Sequence, residues 1–340
     1  MPARSKSLLL RQIEHKTSIS FVFVFFCKSH WVWYNVFMEI LFTILYALFN
    51  GFYDVFRKQS TKKSNEHIVL VLFTTIAFIC SLVWIPFGIS IPFKFVLIFA
   101  LKGFLLALSW TLILRVLKQA DLSLVSIMNV ISSVMSFILG IVLFDETASV
   151  LQIIGSIVIV LCVAGINLLN KDKKGKISLT HTALLILSAC ITTISNIIDK
   201  YTTIHLTSFQ VQFWFLLFVC LFSWLFYAVL RFKDNSLTIT KVDLKNYWIY
   251  LIGIFLFFGD FWLFQAYKVP GSQMITISIL SKLKIIVPIL AGIIIFKEKN
   301  IIKKLVLSTL VIVGAILISL WQTHQFVLRY TRSAIKNGYK

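Results

Sequence analysis

The chain has 340 residues, 59% of them hydrophobic and 14% charged, with a mean hydropathy of +0.92. A soluble domain carries about 25% charged residues, so this composition excludes a soluble enzyme or binding module and marks an integral membrane protein. The net charge of +20 does not point to nucleic acid, because the Lys and Arg lie between and beyond the apolar runs as topology signals and form no basic, aromatic-interleaved face.

Residues 1–37 combine a basic start with an apolar run broken by Lys28 and His30, and carry no small-residue cleavage site. Met38 opens "MEILFTILYALFN". A start at Met38, a genuine N-terminal extension and an additional span all fit this segment. From there the apolar runs are about 20 residues long and lack alternation, which predicts helices that satisfy their own backbone in lipid, not a closed barrel.

Ten spans are predicted, at 38–56, 68–88, 95–114, 121–144, 149–169, 179–199, 207–230, 247–267, 272–296 and 303–321. The expected fold class is all-α integral membrane. A basic linker at 171–178 separates a first five-helix repeat (38–170) from a second (179–321), and a basic tail follows at 322–340. Sliding the sequence by 152 positions sets "SIMNVISSVMSFILGIVLFDE" (126–146) on "SILSKLKIIVPILAGIIIFKE" (278–298). Ser126, Gly140 and Glu146 then fall on Ser278, Gly292 and Glu298. Because each half holds an odd number of spans, the second must run inverted relative to the first, a transporter plan whose binding site lies near the midplane.

With the fourth spans of the halves ending in "GIVLFDE" and "GIIIFKE", the chain resembles the EamA-like transporters of the drug/metabolite transporter superfamily. The resemblance covers roughly residues 38–321 and implies ten helices, a central cavity, and export or exchange of small metabolites such as amino acids. Two features depart from the family pattern: the lysines Lys282 and Lys284 inside the ninth span, and the first 37 residues.

Connectors after odd-numbered spans, together with Lys303 and Lys304 at the very start of the tenth span, hold 18 Lys and Arg, against 3 after even-numbered ones. The positive-inside rule puts the odd connectors in the cytoplasm and both chain ends outside.

A charged side chain at a helix centre costs at least ~2.5–3.5 kcal/mol, so Lys282 and Lys284 need a partner or a wet cavity. At roughly 100° per residue they flank a small, polar arc formed by Ser278, Ser281, Pro288 and Gly292. The fourth span repeats that arc with Ser126, Asn129, Ser132, Ser133, Ser136 and Gly140. The serines and glycines read either as a packing stripe or as cavity lining. Lys284, aligned with Ser132, is the better candidate for the cavity. Asp260, amid Phe and Trp on the preceding span, is either the ion-pair partner of Lys284 or an unpaired carboxylate able to carry a proton.

Asn50 and Asn196, in the first spans of the two halves, are candidates for hydrogen-bonding a substrate. Their neighbours Asp54, Arg57, Asp199 and Lys200 read as span-end anchors. Trp110 and Trp262, matched by the repeat, wall a cavity or face lipid. Glu146 and Glu298 close their helices and are expected to be structural or gating, with Gly140, Gly292 and Pro288. Lys102 is expected to snorkel.

The five cysteines lie singly and no His falls at ligand spacing, so no metal site is expected. No Walker loop occurs, so neither ATP drive nor another cofactor is expected. The expectation is a secondary transporter in the plasma membrane, monomeric or homodimeric, whose partners are the lipid bilayer and a small polar or amphipathic metabolite. The lysines tilt that metabolite towards a carboxylate or phosphate. The alternative is a membrane-embedded enzyme acting on a lipid-linked substrate, although no reactive cluster of the usual kind occurs.

Overall fold

The computed structural model describes residues 34–129, 131–144, 179–235 and 237–297, together with 150, 153–154, 157–158, 161, 306 and 309–310. Among them, regular structure is helical throughout. The helices are α1 (Tyr34–Ser60), α2 (Glu66–Ser81), α3 (Phe93–Gln119), α4 (Leu122–Met128) and α5 (Ile131–Phe144). In the second half they are α6 (Leu179–His205), α7 (Ser208–Lys233), α8 (Tyr247–Lys268) and α9 (Met274–Ile294). Seven of these, all but α4 and α5, are long and apolar enough to cross a bilayer.

Helix ends follow local chemistry. Asn65 caps α2 by accepting from the His67 N–H, and Thr207 with Gln210 forms a capping box at the start of α7. Pro86 lies in a 3-10 turn, Leu82–Phe87, that prolongs α2. At the other end of α3 the Lys58 ammonium binds the carbonyls of Leu117 and Ala120, filling acceptors that the helix C-terminus leaves open.

Compared with the expected spans, α1 starts upstream of Met38 and already buries Asn35 and Val36. The span expected at 121–144 is divided between α4 and α5, with a turn at Asn129. The spans expected at 149–169 and 303–321 lie almost wholly outside the described residues. Helix α9 is not a continuous α-helix either: Ser281–Ile285 forms a 3-10 turn. Pro288 supplies the reason, because it has no N–H for the Lys284 carbonyl and its ring crowds that carbonyl. Shifted by 152 positions, Asn129 falls on Ser281. Both fourth-position segments therefore break at equivalent places.

The connectors sort to two ends. At one end Lys58 reaches Ala120, Lys118 pairs with Glu66 at 2.9 Å, Asn246 donates to the Ser60 carbonyl, and the Lys62 ammonium lies over the Phe296 ring. These contacts join the connectors after the first, third, seventh and ninth spans. At the other end Gln210 donates to the Ser90 carbonyl, Lys200 to the Ser272 carbonyl, and the Gln273 N–H to Glu39.

Packing between the halves is reciprocal. A Cβ on Gly103 of α3 would lie 2.6 Å from Phe218 of α7, and a Cβ on Gly253 of α8 would lie 2.7 Å from Ile76 of α2. In each case the third span of one half meets the second span of the other at a glycine. Likewise Lys284 of α9 donates to Asn50 of α1, while Asn196 of α6 donates to Ser136 of α5. In lipid the helices gain little from hiding apolar area from one another, so close backbone approach and such hydrogen bonds carry the association. The outward surface is apolar: Leu97, Leu101 and Phe104 make an exposed stripe on α3, and the buried core lies where α2, α3, α7 and α8 meet, around Phe73, Phe99, Leu114, Leu216 and Ile252.

Candidate functional site

A cavity of about 120 Å³ lies between the two halves. Its wall takes Tyr46, Asn50, Tyr53, Asp54 and Arg57 from α1, Lys102 and Trp110 from α3, and Asn129 and Ser132 from the α4–α5 break. The second half contributes Thr192, Ser195, Asn196 and Asp199 of α6, Asp260 and Tyr267 of α8, and Ser278, Ser281, Lys282 and Lys284 of α9. Both helix interruptions therefore open onto the same space. Interrupted helices at corresponding positions of two halves are where transporters gather binding groups, because irregular backbone is tolerated at membrane depth only beside a cavity or protein.

Of the expected site residues, Lys284, Lys282, Asp260, Ser281, Ser278, Asn129, Asn50, Asn196 and Trp110 lie on this wall. Two do not. Ser126 is buried but off the wall. Trp262 instead stacks on Phe42 of α1, ring centroids 5.4 Å apart, so its ring is spent on the α1–α8 contact. Gly140, Gly292 and Pro288 are buried in their helices. Glu146 and Glu298 lie outside the described residues.

The charges pair differently from expectation. Lys284 does not pair with Asp260; its ammonium donates to Asn50 Oδ1 at 3.2 Å. Asp260 is buried, and its Oδ2 has no hydrogen-bond partner among the described residues. Lys282 is buried and faces the cavity.

Lys102 does not snorkel. It is 1% exposed, forms an ion pair with Asp199, and places its ammonium 4.0 Å from the centre of the Phe215 ring, a cation–π arrangement. Helix α3 extends at both ends beyond the expected span, so Lys102 lies well inside it. For the same reason Asp54, Arg57 and Asp199 are not span-end anchors. Helix α1 continues to Ser60 and α6 to His205, which carries all three into the interior, where Arg57 pairs with Asp54 at 3.3 Å and lies over the Tyr53 ring. Lys200, also buried, donates to the Ser272 carbonyl.

Tyr46 and Tyr53 also went unnoticed in the sequence. A signal for Tyr53 was present, since it falls one turn from Asn50 and beside Asp54, on the same helix face as the asparagine. Among the described residues no group of three His, Cys, Asp or Glu is arranged to hold a metal ion. The wall as built offers hydrogen-bond donors, acceptors and both signs of charge, a binding chemistry.

Comparison with known proteins agrees with this architecture. No protein of curated function matches the chain. One solved crystal structure of a protein shares the fold, with a TM-score of 0.61 at 12% identity, covering 84% of this chain and 96% of that one. Residues 37–168, which include most of α1 and all of α2 to α5, match the EamA-like transporter family. Over those residues the chain is similar to the EamA-like transporter family.

Proposed function

We propose that this protein is a secondary transporter that moves a small polar or amphipathic metabolite across the plasma membrane by alternating access, with two inverted five-helix halves rocking about the cavity they share. The observation that carries this reading is the cavity itself: polar and ionisable side chains from both halves converge on it, and both interrupted fourth segments open into it. The reciprocal glycine contacts, Gly103 on α7 and Gly253 on α2, support the inverted repeat.

Lys284, Asp260, Asn50 and Asn196 are the proposed cargo contacts. Ion pairs and hydrogen bonds between the halves, such as Lys102 with Asp199, are the contacts that rocking must repack. Asp260 is the group we assign to coupling, either by carrying a proton or by requiring a counter-substrate. The clustering of the basic connectors at one end supports placing that end in the cytoplasm.

The test is reconstitution in proteoliposomes with labelled amino acids, nucleotides and sugar phosphates, with and without a pH gradient. Wild type is compared with Lys284→Ala and Asp260→Asn. The expected result is saturable flux of a restricted set of solutes, lowered at least tenfold by Lys284→Ala and uncoupled from the gradient by Asp260→Asn. Flux unchanged in both variants overturns the site assignment, and conversion of a lipid-linked substrate without flux overturns transport.

A further inference from the structure

Resting on the transporter reading above, we infer that the cargo is a small organic ion carrying two acidic groups and one ammonium group, seated with its ammonium on Asp260 and its acidic groups on Lys282 and Lys284. The argument is a charge balance of the wall. Its Asp, Lys and Arg residues are Asp54, Asp199 and Asp260 against Arg57, Lys102, Lys282 and Lys284. Two acids are already matched within the protein, Asp54 by Arg57 and Asp199 by Lys102. Those pairs cancel.

The remainder is one carboxylate and two amines, formally +1. Asp260 has no cation within ion-pairing distance among the described residues, and its buried Oδ2 accepts no hydrogen bond there. Lys282, 6% exposed, makes no hydrogen bond or ion pair with a described residue. Lys284 has only the neutral amide oxygen of Asn50. Leaving buried charges uncompensated is unfavourable, and a ligand of opposite pattern, two negative groups and one positive, removes the imbalance at every remaining group.

Size supports the same class. The cavity's 120 Å³ is below the about 300–1,000 Å³ of sites for drug-sized ligands, which restricts the cargo to a short carbon skeleton. A carboxylate and a phosphate satisfy an amine alike, so the second acidic group is either.

The test is ligand binding to the purified full chain in detergent, read by calorimetry and by thermal stabilisation, independently of transport. The probes are L-glutamate, O-phospho-L-serine, glutarate, which lacks the ammonium, and 4-aminobutanoate, which lacks one acid. L-glutamate or O-phospho-L-serine is expected to bind at least tenfold more tightly than the other two, and their relative affinity names the second acid. Asp260→Asn is expected to abolish the preference over glutarate, and Lys282→Gln the preference over 4-aminobutanoate.

Equal binding of glutarate or 4-aminobutanoate, failure of both amphoteric anions to bind, or preferences that survive the substitutions would overturn the inference. The wild-type comparison decides it even if a variant does not fold. Binding without flux in proteoliposomes refutes transport and leaves this assignment standing. Flux of another solute without binding of these refutes the assignment alone.

Discussion

Lys102 of α3 and Asp199 of α6 form an ion pair buried between the two halves of the bundle, with the ammonium also covered by the rings of Phe215 and Phe264. Both side chains are buried. Removing one partner leaves the other buried and uncompensated, which costs about 3–5 kcal/mol, whereas removing both together is often close to neutral. Lys102→Met is therefore expected to lower thermal stability in detergent strongly, and the double substitution with Asp199→Asn to restore most of it. A double-mutant cycle with coupling under about 1 kcal/mol would count against the pair as drawn.

Gly103 and Gly253 make opposite predictions from ordinary helix glycines. Replacing an exposed helical Gly by Ala stabilises by about 0.5–1 kcal/mol. Here the added methyl meets Phe218 and Ile76, respectively, and overpacking costs about 1–3 kcal/mol. Gly103→Ala and Gly253→Ala should each lower the midpoint of unfolding, by similar amounts because the two contacts are reciprocal. A rise in either midpoint would refute the close approach.

Pro288 has a separable effect on fold and function. Pro288→Ala restores an N–H to meet the Lys284 carbonyl and removes a helix defect worth about 3 kcal/mol. The 3-10 turn at Ser281–Ile285 is then expected to relax to α-helix and turn the Lys284 ammonium away from Asn50. The outcome is a protein of equal or greater thermal stability with flux reduced at least tenfold. Normal flux would show that the interruption is incidental.

Orientation is testable at exposed positions of opposite ends. In a background without the native cysteines, Lys63→Cys and Lys233→Cys mark one end and Ser90→Cys the other, all at exposed sites. Impermeant maleimide added to intact cells should label Ser90→Cys and spare the other two until the membrane is opened. The reverse pattern would invert the assignment.

Much of the architecture was legible because a bilayer permits few solutions. A chain with so many long apolar runs must form helices, since no water is present to satisfy an open backbone. Lys282, Lys284 and Asp260 stood out in the sequence for the same reason: at that depth a charge is costly enough to need an explanation. The break in α9 was half visible in Pro288, but its counterpart at Asn129 has no proline to announce it.

Pairing was not legible. Lys102 meets Asp199 from 97 residues away, and Lys284 meets Asn50 from 234, and nothing local to either residue encodes its partner. Charged residues lower the hydropathy of the windows that contain them, so α1 and α6 read too short and Asp54, Arg57 and Asp199 read as lying near the membrane edge. The sequence by itself thus determined that there are membrane helices, roughly where they run, and which buried charges demand an account. Only the tertiary structure decided which of those charges neutralise one another and which remain for a ligand, because a short-range interaction in a low-dielectric interior depends on how distant helices cross.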